Sequence, residues 1–272
     1  MRILKYLLVC LILNAAFPYL THAQKKPHIV FLVSRDSNNY EAHRTIPEFA
    51  KRLNNQGFST TVIEGTGEQH AFHFPGLEVL DKADLLVVFC RRVALSTAQM
   101  NKIKGYLKLG KPVIGIRTAN HAFSVNTQIS EGYEAWPEFV PEILGSLNRG
   151  YGPTDPGTDV QIVDYNSNHP IVRDLKPANW HSEGNVYLVA PLLDKSATVL
   201  LNGKVANEIQ PIAWTRQADK SKVFYTSLGY PRDFDLPQFQ QLLINGIKWT
   251  LGINLSVLKK NIYTFNLLNL NF

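Results

Sequence analysis

Four short apolar runs, each stopping at a polar cluster, constrain the fold of this chain more than any other feature. They are His28–Ser34 (HIVFLVS), Phe58–Glu64 (FSTTVIE), Leu85–Cys90 (LLVVFC) and Val113–Ile116 (VIGI). Runs that are apolar at odd and even positions alike read as strands covered on both faces, the kind found in parallel sheets. Helical patterns fall between the first and second runs and between the third and fourth. Ile46, Phe49, Ala50 and Leu53 recur at helical spacing before Gly57, while Met100, Ile103, Tyr106 and Leu107 follow a capping Ser96 and precede Gly110. Such alternation is built from right-handed βαβ units. The expectation is an α/β fold of flavodoxin-like or Rossmann-like type, a mostly parallel sheet with helices on both faces.

The pattern breaks between Gly132 and Gly157, where Trp136, Pro137, Pro141, Gly150, Pro153 and Pro156 mark a long irregular segment. Loops of that length are functional or disordered, and Trp136, Phe139 and Tyr151 argue for an ordered one. Short strands are expected afterwards at Val160–Val163, Val186–Val189, Thr198–Leu201, Ile212–Trp214 and Val223–Thr226, the last two forming a hairpin around Gln217–Ser221. A final helix follows Pro237 and stops at Gly252. No linker divides residues 25–252, which read as one domain. The tail 253–272, rich in Leu and Asn around Lys259-Lys260, is too polar for a membrane span and reads as an appendage.

Residues 1–23 carry Arg2 and Lys5, an apolar stretch Leu7–Phe17 and a small-residue end at Thr21-His22-Ala23. This is the pattern of a secretory signal peptide cleaved after Ala23, so export to the periplasm or exterior is expected, with no lasting membrane span. Cys10 lies inside the apolar stretch, leaving Cys90 as the single cysteine of the mature chain and no internal disulfide. Loss of Arg2 and Lys5 takes the formal charge from +6 to +4. With no basic stripe, no nucleic-acid partner is expected.

The candidate chemistry gathers at strand ends, where open α/β sheets bind ligands. The stretch Pro112–Phe123 (PVIGIRTANHAF) has the strand–turn–helix form of a nucleophile elbow, but Arg117-Thr118 stands where Ser or Cys would be needed. Parallel neighbours would bring Asp36, Arg91, Arg92, Arg117, Thr118 and His121 to one edge. Guanidinium groups suit carboxylate, phosphate or vicinal hydroxyls, though one arginine could be solvated and another paired with Asp36 or Glu41. His121 could serve as acid or base. His169 suits a loop-fixing role, and His70-x-x-His73 has no third metal ligand. Buried Cys90 suits packing better than nucleophilic attack. There is no Gly-x-Gly-x-x-Gly, P-loop or HExxH, so neither nucleotide cofactor nor metal is expected.

The run FCRRVALSTAQMNKIKGYLKLGKPVIGIRTANHAF resembles the exported ThuA-like (trehalose-utilisation) family, with an arginine-rich strand end followed by a helix and a G-I-R-T-x-x-H-A-F elbow. NHPIVRDL, SEGNVYL, PIAWTR, VFYTSLGYP and LLINGIKWTLG extend the likeness over nearly all of residues 25–252. The resemblance implies a class I glutamine amidotransferase-like fold and a role in disaccharide or keto-sugar metabolism, by isomerisation or hydrolysis. The thiol of a glutaminase elbow is replaced by Arg117, and its later histidine segment reads Tyr230-Pro231-Arg232, so glutaminase activity is not expected. Relatives often carry His at the position of Tyr230 and another His near Gly150-Tyr151. The resulting expectation is a small-molecule saccharide bound by Asp36, Arg91, Arg92, Arg117, Thr118 and Tyr230, stacked on Trp136 or Tyr151, with His121 catalytic. The alternative is a non-catalytic saccharide- or protein-binding module on the same fold.

Overall fold

A computed structural model of the chain describes residues 25–205 and 207–253. The expected signal peptide, Cys10 and the tail beyond residue 253 lie outside the described residues. Strand β1 (His28–Ser34) pairs in parallel with β2 (Ser59–Glu68) on one side and β4 (Leu85–Phe89) on the other. Beyond β4 come β6 (Val113–Ile116) and then β12 (Ser221–Thr226), again in parallel register. The order β2-β1-β4-β6-β12 is the flavodoxin order. Its direction of winding reverses between β1 and β4, which opens a crevice at their carboxyl ends.

Alternating side chains of these strands feed two cores. Ile29, Phe31, Val33, Val87 and Phe89 meet helix α1 (Ala42–Asn54) and helix α3 (Pro237–Thr250). Val30, Leu32, Leu86 and Val88 meet helix α2 (Thr97–Lys108) through Met100, Ile103 and Tyr106. Helix α2 starts where expected, with the Ser96 hydroxyl accepting from the Gln99 N–H. Helices therefore cover both faces.

The expectation of a mostly parallel sheet holds only for the central five strands. Among the described residues the sheet is mixed, with twelve strands. On one side β12 is followed by antiparallel β11 (Glu208–Ala218), β10 (Thr198–Val205), β8 (Thr158–Ile162) and β9 (Asn179–Ser182). On the other side β3 (Ala71–His73), β5 (Leu95–Ser96) and β7 (Tyr133–Glu134) extend β2. The reason is the absence of crossover helices between Thr158 and Thr226: parallel neighbours require them, whereas antiparallel strands need only short turns. The β11–β12 hairpin is present as expected, with Asp219 left-handed in its turn. Val186–Val189 does not form a strand. Its backbone is engaged irregularly, Leu188 N–H donating to Gly150 O and Val189 N–H to the Gln210 side chain, with one isolated bridge from Tyr151 to Tyr187. No helix among the described residues is long and apolar enough to cross a membrane.

Gly246 shows how tightly α3 sits on the sheet, because a Cβ there would lie 2.5 Å from the Phe224 ring. Gly246→Ala gains about 1 kcal/mol of helix propensity but must displace a buried ring, which costs about 1–3 kcal/mol. The expected outcome is a net loss of stability, read as a lower urea midpoint at unchanged slope. A variant as stable as the parent would show that Phe224 yields freely.

Candidate functional site

The elbow is built from β6, all of whose residues are buried. Gly115 admits the Tyr225 ring, which would lie 2.9 Å from a Cβ at that position. Arg117 then turns the chain with φ 43°, a left-handed backbone that costs a non-glycine residue about 1–2 kcal/mol. Tyr225 Oη holds the turn by donating to Arg117 O at 2.8 Å. Tyr40, Glu41 and Arg92 are left-handed too, so four of the five such non-glycine residues among the described ones follow the carboxyl ends of β1, β4 and β6. Clustered strain of this kind marks functional sites.

Strand ends are laced together by Asn39, which is wholly buried. Its Nδ2 donates to Ser34 O at 2.9 Å and to Phe89 O at 3.0 Å, and its Oδ1 accepts from Thr118 Oγ1. Thr118 thus joins β1, β4 and the elbow. Arg91 donates to both oxygens of Asp36, at 3.3 and 3.4 Å, while Gln69 Nε2 donates to Asp36 Oδ2 at 2.9 Å. Asp36 and Arg91 therefore form the ion pair that the alternative reading foresaw.

Arg117 is 1% exposed. Its Nη1 donates to Ser227 O at 2.8 Å and its Nη2 to Asn185 Oδ1 at 2.7 Å. The guanidinium carbon lies 3.9 Å from the Tyr40 ring centre, 5.0 Å from Tyr187 and 5.7 Å from Tyr230. Burial works against this charge, but Tyr187, Tyr40 and the Asp233 carboxyl outweigh it and hold the pKa above its ordinary value. Gly184 makes room, since a Cβ there would lie 3.0 Å from Nη1. Asp233, also buried, accepts from Gly229 N–H at 2.8 Å and Tyr230 N–H at 2.9 Å. Burial raises its pKa despite these bonds and the nearby guanidinium.

The Tyr187 ring also stacks on His121, with centres 6.1 Å apart. Tyr151 meets the imidazole edge-on at 6.2 Å. Asn148 Oδ1 accepts from Gly150 N–H at 2.9 Å, which turns Asn148 Nδ2 toward His121 Nδ1 at 3.3 Å. Nδ1 is therefore the acceptor and Nε2 carries the proton. Burial, then the charges of Arg92, Arg91 and Arg117, lower the pKa of His121 to about 3. No carboxylate orients the ring among the described residues. It is a neutral N–H donor at physiological pH.

His121, Arg92, Asn120, Ser124, Asn148 and Tyr151 line a cavity of about 450 Å³. Arg92 donates to Ser124 O at 3.2 Å and Asn126 Oδ1 at 2.8 Å, neither of them charged. Trp136 lies with Phe123 and Phe139, 6.4 and 5.3 Å away, and Lys104 stands over its ring. A larger groove of about 850 Å³ between α1 and the turn Pro231–Asp235 takes in Tyr230 but none of the elbow residues. Its Arg44 is already paired with Glu41 at 3.0 Å. The smaller cavity is the candidate site.

The expected site residues therefore fall into separate groups. Arg92, His121 and Tyr151 share the cavity, Asp36 and Arg91 pair beside it, and Thr118 sits in the Asn39 network. Arg117 lies among the rings of Tyr40, Tyr187 and Tyr230, none of which lines the cavity, and Trp136 packs in an aromatic cluster. Sequence reasoning missed Asn39, Asn120, Asn148, Tyr187 and Asp233. Asn120 could have been noted from its place beside His121, but the others are brought in by contacts distant in sequence.

The His121 shift sets a pH signature. Above pH 6.5 the ring is neutral folded or unfolded; as pH falls from 6.5 toward about 3 the unfolded chain takes up a proton that the native state refuses. Stability is lost over that window, by roughly 4–5 kcal/mol at full extent, and the loss levels off below it. Burial lowers the pKa of His169 as well, and that of Asp233 moves the opposite way. Comparison with His121→Phe isolates the effect: urea midpoints should fall more steeply between pH 7 and pH 4 in the parent than in the variant. Parallel curves would show that His121 is not held neutral.

Residues 30–250 match the model of the ThuA family, described as trehalose utilisation. The crystal structure of a ThuA-like protein from Bacteroides uniformis superposes with a TM-score of 0.63 at 20% identity, covering 88% of this chain and 98% of that one. A ThuA-like protein from Parabacteroides merdae gives 0.59 at 14% identity, covering 84% and 90%. At these identities the likeness speaks for the fold. No curated protein matches the sequence. With most of its length inside the family match, this chain belongs to the ThuA family.

Proposed function

We propose that the protein handles a saccharide in the cavity beside the elbow, with Arg92, Asn120 and His121 as polar contacts and Tyr151 as the stacking surface. The family's trehalose-utilisation description suggests a saccharide-related role. One observation carries the assignment to this cavity: a buried imidazole with a defined Nε2–H, set among an arginine, two amides and an aromatic ring. Sugars are bound by such mixtures of planar donors and aromatic faces.

The neutral state of His121 bears on the chemistry. With a pKa near 3 it is a weak base at neutral pH, and it has no carboxylate to orient it. A neutral N–H donor instead polarises a carbonyl oxygen, as an electrophile does in sugar isomerisation. Hydrolysis of a glycoside ordinarily needs two carboxyl groups across the bond, and among the described residues Glu138 is the one carboxylate lining the cavity. Isomerisation of a carbonyl-bearing sugar, which needs one base to carry a proton between neighbouring carbons beside that donor, thus asks less of this cavity than hydrolysis does. The second reading, a non-catalytic saccharide-binding module, is favoured by the same lack of an acid–base pair. Glutaminase chemistry is not proposed, because Arg117 stands where the nucleophile would be. The leader-like sequence of residues 1–23 supports export.

The test is binding and turnover with a panel of keto-sugars and disaccharides. His121→Phe keeps the ring between Tyr187 and Tyr151 but removes the donor, so saccharide affinity should fall by about tenfold or more, the worth of a hydrogen bond to a buried group. Unchanged affinity in a folded variant would remove His121 from the site. Turnover by the parent, lost in the variant, would decide for the enzyme over the binding module.

A further inference from the structure

We infer that this cavity selects an acidic saccharide, holding its carboxylate against Arg92, Asn120 and His121 while the sugar ring lies along Tyr151. This rests on the saccharide reading above and narrows it to a ligand class.

The argument begins with which hydrogen-bonding groups remain free. Asn120 is 1% exposed, lines the cavity, and its Nδ2 has no hydrogen-bond partner. Its Oδ1 is occupied by Ser146 Oγ at 3.4 Å. His121 presents Nε2–H, because Nδ1 is taken by Asn148. Asn148 Oδ1 is used by Gly150 N–H, and the Tyr151 hydroxyl accepts from Asn148 Nδ2 at 2.8 Å. The deep wall therefore offers unused donors, while the oxygens of Asn120, Asn148 and Tyr151 each already accept one bond. A sugar hydroxyl must place its own proton as well as accept, whereas a carboxylate accepts only and can take several donors at once.

Charge points the same way. Three arginines stand close enough to depress the protonation of His121. Arg91 is answered by Asp36 and Arg117 is influenced by Asp233, but Arg92 meets only carbonyl oxygens among the described residues. Glu138, the carboxylate lining the cavity, is exposed, where its charge is screened by solvent. The cavity thus retains one cation without a counter-ion beside two unused donors. A charge-assisted bond from guanidinium to carboxylate is roughly twice as strong as a neutral one.

The test is calorimetric titration of the full chain with hexuronates and the matching neutral hexoses, at low and at high salt. Hexuronates should bind about tenfold or more tightly than the neutral sugars at low salt, and the advantage should shrink at high salt. Arg92→Gln should abolish the advantage, lowering hexuronate affinity more than that of the neutral sugars, while Arg92→Lys should keep part of it; thermal melts establish that both variants are folded. Equal affinities for both classes in the parent, or an advantage that survives Arg92→Gln, would overturn acid selection and leave the saccharide reading standing. Binding of neither class would remove both.

Discussion

The buried guanidinium of Arg117 is the constraint around which the two halves of this protein are arranged. Taking a charge out of water costs several kcal/mol unless the surroundings replace its hydration. Here the replacement comes from far apart in the chain: Ser227 follows β12, Asn185 follows β9, Tyr40 follows β1 and Tyr230 opens the turn that holds Asp233. The parallel core and the antiparallel extension are thereby tied to a single side chain at the end of β6. The same ties offset the left-handed backbone of Arg117, since Tyr225 and Ser227 hold both its main chain and its side chain.

That arrangement changes what the elbow is for. A nucleophile elbow thrusts a reactive side chain into a cleft, whereas here the corresponding side chain is drawn inward and sealed by tyrosines. The residue that reaches the cleft instead lies one turn later, at His121. Its imidazole is flanked by positive charge and buried, so protonation is suppressed and its proton sits on Nε2. A ring kept neutral in this way is suited to holding an oxygen in place across a wide span of pH, not to shuttling protons.

Much of the framework was legible because local signals agreed with one another. Runs such as HIVFLVS and VIGI are bounded by polar or punctuating residues, and β1 and β6 begin and end where those runs do. Ser96 and Gly110 bracket α2 for reasons of capping chemistry alone. The parallel expectation failed beyond β12 because strand direction depends on connections, and the stretch from Thr158 to Thr226 contains no crossover helix to reveal them. Two-residue strands such as β5 and β7 leave no periodic trace. At the site, residue type was readable but orientation was not. Nothing in the run Arg117-Thr118 tells that the guanidinium turns inward, because the tyrosines that attract it stand 77 residues earlier and 70 and 113 residues later in the chain.

Tyr187 is shared by the two groups of the elbow. Its ring centre lies 5.0 Å from the Arg117 guanidinium and 6.1 Å from the His121 ring, while Tyr151 abuts it with centres 4.9 Å apart. A side chain shared in this way is constrained twice. Any residue accepted there must satisfy a permanent cation and a neutral imidazole together, with no room for separate adjustment.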